Sequence, residues 1–277
     1  MRRYYPPENF MEIGLMLMQR VSLLSSDTNE RRFRALFGTN SHNCSRIWSL
    51  IEVDDDGARP VHLLWALMFL KVYAAEEVNA TIAGVHEDTF RKWSWLFTKA
   101  IFNLHWRVIL WENRLRGDVG NTCKISVDGT DFRILNRTPF WKGWFSFKFK
   151  TAGLRYEVGV NIMTGDIVWI EGPHPAGKMP DITIFRLRLK HVLPDGEKVI
   201  ADKGYRGEPN KVVIDHPDAQ KVRSRHETVN RRFKQFNILG RTFRHSPDLH
   251  QAVFIAVAVI VQLGMEESPL YQVEYSE

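Results

Sequence analysis

The apolar pattern of the chain changes near residue 117, and this change limits the possible folds more than any other feature. Up to that point apolar residues recur at helical spacing, as in Val61–Ala75. Beyond it the chain runs through short stretches rich in β-branched and aromatic residues, with turn residues between them. The sequence therefore predicts a helical N-terminal region, residues 1–116, followed by an α/β domain, residues 117–277.

Within the N-terminal region, the first 60 residues are expected to be irregular with some helix. A solvated turn is predicted at their end from the cluster Asp54, Asp55, Asp56 and Gly57, with Pro60 after it. The apolar helix Val61–Ala75 is expected to follow this turn.

Residues 76–101 have the pattern of two helices joined by a tight turn. The first helix is expected to end at Gly84, and Glu87 and Asp88 suit the start of the second, because acidic side chains stabilise a helix N-terminus. Both a DNA-binding helix-turn-helix and a plain helical hairpin fit this pattern. The second helix is expected to bury one apolar stripe, formed by Phe90, Trp93, Phe97 and Ile101.

The α/β domain is predicted to contain a mixed sheet with helices packed on it, because three antiparallel strands are followed by strands that alternate with helices. Turns are expected at Ala152-Gly153 and Thr164-Gly165. The predicted strands are Lys124–Val127, Ser146–Lys150, Leu154–Ile162, Asp166–Glu171 and Lys198–Ala201. Three helices are predicted in this domain. The first begins at Asp181 and runs through Leu189, the second covers Arg223–Phe236, and the third covers His250–Leu263.

Basic residues are concentrated in two segments, within a formal net charge of +6. Residues 133–155 contain six basic residues and no acidic one. Residues 221–244 contain eight basic residues and one acid, Glu227. A balance of this kind suits a polyanionic partner.

The chain is expected to act inside a cell and not to be secreted. Its two cysteines, Cys44 and Cys123, are too few for a disulfide framework. The opening residues MRRYYPPENF lack the apolar stretch of a signal peptide. The apolar run Ala252–Leu263 is too short to span a bilayer and is predicted to be a buried helix, so no membrane association is expected.

Three carboxylates are candidate metal ligands. Asp128 directly follows the predicted strand KISV, and Asp202 directly follows the predicted strand KVIA. Strand ends are the usual place for active-site groups in an α/β sheet. Glu227 lies on the predicted basic helix, at the edge of the face that Val229 and Phe233 turn toward the core. The three acids can therefore converge on one divalent ion.

Phosphodiester cleavage needs such an arrangement. The substrate is anionic, so positive charge must stabilise the attacking and leaving oxygens, and two Mg²⁺ ions about 3.5–4 Å apart can supply it. Mg²⁺ prefers oxygen ligands and keeps several waters, so a few carboxylates and the substrate phosphate suffice. The cations around Glu227 would then hold the DNA backbone.

Four segments resemble, in the same order, the DDE superfamily endonucleases of the Harbinger and bacterial insertion-sequence type. They are VDGTDF, GDIVWIEGPHPAGKMPDITIF, ADKGYRG and RHETVNRRFKQFNILGRTFRHSPDLHQAVFIAVAVIVQL, and the resemblance covers about Ile125 to Tyr275. The helical pair at 76–101 resembles the helix-turn-helix that precedes the catalytic domain in that family. The resemblance implies a ribonuclease-H-like fold, a catalytic and metal-binding triad of Asp128, Asp202 and Glu227, Mg²⁺ or Mn²⁺ as cofactor, and DNA strand cleavage and joining.

The chain departs from that family in three places. The residue after VDGT is commonly His and is Asp131 here. The interval from Asp202 to Glu227 is short, at 25 positions. The N-terminal region is modest, so recognition of terminal repeats is open to a separate DNA-binding partner protein.

Several residues allow a second interpretation. Asp181 is a rival for the second metal ligand, although a helix N-cap is the favoured interpretation. Asp131 fits a supporting or solvated acid better than a ligand. Trp141, Trp144 and Phe145 could stack on unpaired bases, although an aromatic edge of the core is the simpler account.

The predicted function is that of a DNA transposase or a transposase-derived endonuclease, located in the nucleus of a eukaryote or otherwise in the cytoplasm. The expected partners are DNA, as element ends and target, and further copies of the chain in a homo-oligomer. The alternative is a domesticated DNA-binding protein without catalytic activity. The expected DNA-binding residues are Lys148, Lys150, Lys203, Arg223, Arg225, Arg231, Arg232 and Lys234.

Overall fold

The structure is a computed structural model that describes residues 4–19, 25–53, 55–117, 120–136 and 139–270. Its residues divide into two compact units, here named the helical unit and the sheet unit. The helical unit comprises Met1–Trp106, Lys234–Gly240 and Ala252–Gly264, and the sheet unit comprises Arg107–Phe233, Arg241–Gln251 and Met265–Glu277. This division differs from the predicted one at residue 117, because two apolar segments from the end of the chain pack with the N-terminal helices.

Most of the described residues up to 50 lie in helices, so the prediction of an irregular leader with some helix is wrong. The helices of this part are α1 (Pro7–Leu17), α2 (Ser26–Phe37) and α3 (Ser41–Leu50). Phe33 and Phe37 lie one turn apart on α2 and are fully buried, and Gly38 ends the helix with a φ of 78°. The amphipathic spacing of these short helices thus outweighs their polar composition. Asp54, from the predicted turn, lies outside the described residues.

The next three helices confirm the helical pattern predicted for residues 61–101. They are α4 (Pro60–Val72), α5 (Glu76–Ala83) and α6 (Glu87–Phe102). Gly84 ends α5 with a φ of 69°, and the ring of His86 accepts a hydrogen bond from the Asp88 backbone at 3.3 Å. The predicted stripe on α6 is buried. A role of this helix pair in DNA binding stays a prediction.

The last long helix is buried, as the sequence predicts. Between α7 (His105–Val108) and the C-terminus the non-sheet elements include α11 (Asn237–Gly240) and α12 (His250–Glu267). Residues 253–261 and Leu263 of α12 are buried, with at most 8% of any of these residues exposed. Among the described residues, the helical span Pro247–Glu267 is long and apolar enough to cross a membrane. However, 72% of its most apolar 18-residue stretch is buried within the protein.

In the part of the chain that the structure describes, six strands form one mixed sheet, which confirms the predicted α/β class. The strands are β1 (Cys123–Arg133), β2 (Phe145–Ser146), β3 (Thr151–Asn161), β4 (Ile167–Pro175), β5 (Lys198–Ile200) and β6 (Val212–Val213). β3 pairs antiparallel with both β1 and β4, whereas β5 pairs parallel with both β1 and β6. β1 is therefore the strand at which the sheet changes from antiparallel to parallel.

Two details of the predicted meander are wrong. The predicted strand Ser146–Lys150 pairs only at its first residue, and residues 147–150 form a turn closed by a 2.8 Å hydrogen bond from the Lys150 amide to the Ser146 carbonyl. The predicted turn at Ala152-Gly153 lies inside β3. β1 also continues six residues beyond the predicted end at Val127, because it pairs with β3 along its whole second half.

Helices pack on the sheet unit at both faces of β1. On one face α8 (Asp181–Leu187) and α9 (Leu189–Val192) bury Phe185 and Leu189 against Val127 and Val199. On the other face α10 (Ala219–Lys234) buries Val222 beside Cys123 and Ile200. Because side chains alternate along a strand, successive residues of β1 meet different helices. This alternation decides which carboxylates can meet.

Candidate active site

The parallel pairing of β1 and β5 brings two of the three predicted acids together. Ser126 lies opposite Ile200 in the register of the two strands. Two residues further along each chain come Asp128 and Asp202. Neighbouring strands are about 4.8 Å apart, and residues two apart on a strand share a face. The two acids therefore start from adjacent positions on the face covered by α10.

Asp128 does not lie at a strand end, which corrects the sequence-based expectation. β1 continues to Arg133, whereas β5 ends at Ile200. Asp128 therefore projects from a paired strand at the point where its parallel neighbour has stopped. Asp202 is the residue that begins the loop, and its Oδ1 accepts a hydrogen bond from the Gly204 backbone at 2.8 Å. Asp128 is partly buried and Asp202 is exposed, so the pair lies at the solvent edge of the sheet.

Helix α10 follows the same face of β1. The His226 ring lies 2.9 Å from the Ser126 hydroxyl, and the Asn230 amide donates to Asp128 Oδ2 at 3.3 Å. Residues one turn apart on α10 thus contact residues two apart on β1. Burial lowers the pKa of His226 to about 4, so its imidazole is neutral at pH 7. Asn230 was not anticipated from the sequence, although it lies one turn beyond Glu227 on the predicted helix.

Glu227 is on α10 as predicted, but its side chain is exposed. It lies between His226 and Asn230 in the chain, so it belongs to the turn of helix that faces Asp128. Within the described residues, no group of three or more His, Cys, Asp or Glu side chains is close enough to hold a metal ion. The strand register therefore places Asp128 and Asp202 near each other, and Glu227 lies on the neighbouring helix outside a closed ligand set.

Asp181 is the third acid that lies beside this pair. It is the first residue of α8 and follows the N-cap residue Pro180, so its interpretation as a helix N-cap is wrong. A Cβ on Gly129 would lie 2.0 Å from Asp181 Oδ1, and a Cβ on Gly204 would lie 3.2 Å from Asp181 Oδ2. The carboxylate thus occupies space that two glycines leave open next to Asp128 and Asp202.

The surroundings of Asp181 act on its charge. Burial raises its pKa to about 6, Arg155 opposes this rise, and the nearby Asp128, Asp131 and Asp202 add to it. Its Oδ1 is buried without a hydrogen-bond partner in the described chain, although Arg155 Nη1 lies 3.3 Å away as an ion-pair partner. Asp128 and Asp202 therefore lie close enough to Asp181 to act on its charge.

Asp131 stands at the position where the resembled family commonly has His, and its contacts indicate a structural role. It is buried, and Arg155 holds both of its oxygens at 2.7 Å and 3.1 Å. The Ser146 hydroxyl donates to the same carboxylate at 2.6 Å. A buried carboxylate with these partners has little capacity left for a metal. The interpretation as a supporting acid fits this geometry, and the structure adds that Arg155 links Asp131 to Asp181.

Glu157 is a buried acid that sequence analysis missed. It lies opposite Gly129 on β3, accepts a hydrogen bond from the Trp169 indole at 3.1 Å, and has no exposed surface. Burial raises its pKa to about 8. The alternation of LRYEVGVNI could have placed it on one face with Arg155, but could not show that this polar face is covered by α8.

The predicted DNA-binding cations differ in exposure. Arg225 is buried, and its guanidinium donates to the carbonyls of Ile162 at 2.5 Å and Met163 at 2.7 Å, so its expected contact with DNA is wrong. Arg232 is partly buried and donates to the Ser268 carbonyl at 3.4 Å, and Lys234 is partly buried at the end of α10. The remaining predicted cations are exposed: Lys148, Lys150, Lys203, Arg223 and Arg231.

Comparison of the chain with known protein families, with curated proteins and with solved structures found no match.

Proposed function

We propose that the chain is a metal-dependent DNA endonuclease or transposase of the DDE type. The observation that supports this most strongly is that Asp128 and Asp202 each lie two residues beyond the last paired residues of parallel strands β1 and β5, Ser126 and Ile200, and that the carboxylates of both act on Asp181. The sequence predicts Asp128, Asp202 and Glu227 as metal ligands from their places at a strand end or on the basic helix, together with the family resemblance. The Asn230 amide, one turn beyond Glu227 on α10, donates to Asp128 and so links this helix to the first acid.

The strand arrangement supports the ribonuclease-H-like fold that the resemblance implies. The antiparallel strands β4, β3 and β1 are followed outward from β1 by the parallel strands β5 and β6. In that fold the acids are expected on the central strand, on its parallel neighbour and on a helix packed over them. Asp128 on β1, Asp202 in the loop just after β5 and Glu227 on α10 are compatible with this arrangement. The helix pair α5–α6 is proposed as the DNA-binding helix-turn-helix.

The donors at this edge fit a hard divalent cation. Carboxylate and amide oxygens are the ligands that Mg²⁺ and Mn²⁺ prefer, and the group provides no thiol or neutral imidazole that would favour a softer metal. The side chains of Asp128 and Asp202 would hold the cation. The third acid is Glu227 or Asp181, and a movement of one side chain would close the set.

When bound, the metal supplies positive charge for the attacking and leaving oxygens of the phosphodiester. The residues of the chain position it. Asn230 orients the Asp128 carboxylate through its amide, and the backbone of Gly204 fixes Asp202. Exposed Lys203 follows Asp202 directly and is placed to contact the substrate phosphate.

The proposal is tested with Asp128→Asn, Asp202→Asn and Glu227→Gln in a nicking assay with Mg²⁺ or Mn²⁺. Each variant should lose cleavage while its circular dichroism and its DNA affinity stay close to those of the wild type. The matched control is Asp195→Asn, because the Asp195 side chain is fully exposed and lies at a turn outside this group. Wild-type cleavage by any one of the three variants removes that residue from the ligand set, and full activity in excess chelator removes the metal mechanism.

The choice between Glu227 and Asp181 can be tested at a glycine. Gly129→Ala adds a methyl group at 2.0 Å from Asp181 Oδ1 and so displaces that carboxylate without changing any charge. If Asp181 is the third ligand, Gly129→Ala should lower cleavage as strongly as Asp181→Asn does, while Glu227→Gln remains active. If Glu227 is the ligand, the order reverses. DNA binding by the wild-type chain without cleavage in Mg²⁺ or Mn²⁺ would favour the alternative, a DNA-binding protein without catalysis.

A further inference from the structure

The segment of residues 139–150, here named the aromatic turn, exposes an unusual amount of aromatic surface. Phe140 is 45% exposed, Trp141 is 47% exposed and Phe147 is 71% exposed. The interpretation as an aromatic edge of the core is therefore wrong for Trp141, whereas Trp144 and Phe145 are partly buried. Large apolar side chains that remain together in solvent usually mark a binding surface.

The exposed rings are carried by an anchored support. Ser146 is completely buried, and its hydroxyl donates to Asp131. The Gly177 amide donates to the Gly143 carbonyl at 2.9 Å, and the amide of Lys150 closes the turn onto Ser146. The rings of Trp141 and Trp144 pack edge to face at a centroid distance of 5.6 Å. A ligand would thus meet rings that are already positioned, which reduces the entropy lost on binding.

The charge of the aromatic turn is of one sign. Lys142, Lys148 and Lys150 are exposed, and residues 133–155 contain no acid. Lys178 Nζ lies 5.8 Å from the centre of the Trp141 ring, and Lys150 Nζ lies 5.9 Å from the centre of the Phe147 ring. Cations beside exposed ring faces are complementary to a ligand that alternates negative charge with flat apolar groups.

We propose that the aromatic turn binds unpaired nucleotides of single-stranded DNA, with Trp141 and Phe147 stacking on bases and the three lysines contacting phosphates. This inference deepens the proposed function, since it names the form of DNA held beside the active site. In a duplex the base faces are covered by their neighbours, so ring stacking requires bases that have been separated.

The aromatic turn is joined to the acids by a continuous set of buried contacts. Ser146 donates to Asp131, Arg155 holds Asp131, and Arg155 Nη1 lies 3.3 Å from Asp181 Oδ1. Asp181 in turn lies against Gly129, next to Asp128. A strand that stacks on the turn is therefore held at a fixed place relative to the carboxylates, as strand separation next to a cut requires.

The test measures binding without cleavage. The full chain carrying Asp128→Asn, in chelator, is titrated against a labelled single strand of mixed sequence, the matching duplex and an RNA strand of the same sequence. Trp141→Ala and Phe147→Ala should each weaken single-strand binding roughly tenfold, because stacking of one base on one ring contributes on that scale. Duplex affinity should change little, and Phe147→Trp should restore single-strand binding.

The control variant is Trp106→Ala, which removes another exposed tryptophan, 66% exposed, from outside the aromatic turn. Unchanged single-strand affinity in the Trp141→Ala/Phe147→Ala double variant overturns the proposal, as does tighter binding of the RNA strand. A double variant that loses self-association in size-exclusion chromatography but keeps its single-strand affinity would identify a contact between copies of the chain instead. Because these titrations measure binding without cleavage, they test the aromatic turn even if the nuclease proposal fails.

Discussion

The two basic segments of the chain use their cations in different ways. In residues 133–155 the three lysines of the aromatic turn are exposed, and Arg155 holds the buried carboxylate of Asp131. In residues 221–244 the helix α10 exposes Arg223 and Arg231 but buries Arg225 on backbone carbonyls. A turn can expose all of its charges, whereas a helix packed on a sheet must turn one side inward. Two segments that are both rich in basic residues therefore use their cations differently, one in an exposed turn and the other partly for packing.

The largest expected effect comes from the buried cation of α10. Arg225→Met should destabilise the fold by about 3 kcal/mol, because the carbonyls of Ile162 and Met163 lose a charged hydrogen-bond donor while they remain buried. Urea unfolding measures this change. The matched control is Arg223→Met, two residues earlier and exposed, which should change stability by less than about 0.5 kcal/mol. Equal effects of the two substitutions would contradict the assigned burial.

A smaller effect is expected from the neighbour of Arg225 when the pH is lowered. His226 has a folded pKa of about 4, below its ordinary value of 6.5, so the unfolded chain binds a proton between these values and the folded chain does not. The contribution of His226 is therefore complete above pH 6.5 and is lost as the pH falls to about 4. Its size is on the order of 2–3 kcal/mol.

The measurement is the difference in unfolding free energy between wild type and His226→Gln from pH 4 to pH 7. A difference is needed because Glu157, with its raised pKa, favours the folded state at low pH and works in the opposite direction, while His250 works in the same direction as His226. The wild type should lose more stability than the variant over this interval. Parallel curves for the two proteins would show that His226 is not buried in its neutral form.

The smallest effect distinguishes the two segments as DNA contacts. Replacing Lys142, Lys148 and Lys150 by Gln should lower the slope of log affinity against log salt for single-stranded DNA by about 2, since each lost phosphate contact contributes about 0.7. Replacing Arg231, Arg232 and Lys234 should lower it by only about 0.7, because Arg232 already donates to Ser268 and Lys234 is partly buried. Titrations at several salt concentrations measure both slopes. A larger change for the α10 variant would make that helix the main phosphate contact.

The sequence predicted which strands and helix carry the candidate site residues better than it predicted where those elements begin and end. Asp128 and Gly129 are poor strand formers, so β1 was expected to stop before them, and only pairing with β3 carries the strand through. The parallel register of β1 and β5 is a tertiary property that no local pattern contains. For the same reason, the position of Asp181 against Gly129 could not be read from its place before α8.

The error at Arg225 was avoidable in part. Val222 and Val229 lie three before and four after it, which is the spacing of one helix face. That pattern places Arg225 and His226 inward, although it cannot show that carbonyls are available to receive the guanidinium. The exposure of the aromatic turn was not predictable, because a short strand and a turn can both contain the same aromatic and basic residues.

The parallel pairing of β1 with β5 ends at Ser126 and Ile200, two residues before Asp128 and Asp202. A short piece of backbone therefore ties each acid to a paired residue of the sheet. Insertions in exposed turns of the chain between β1 and β5 should leave the relative placement of the two acids unchanged as long as both strands still pair. The fold thus separates residues whose spacing along the chain must be kept from turns whose length is free to change.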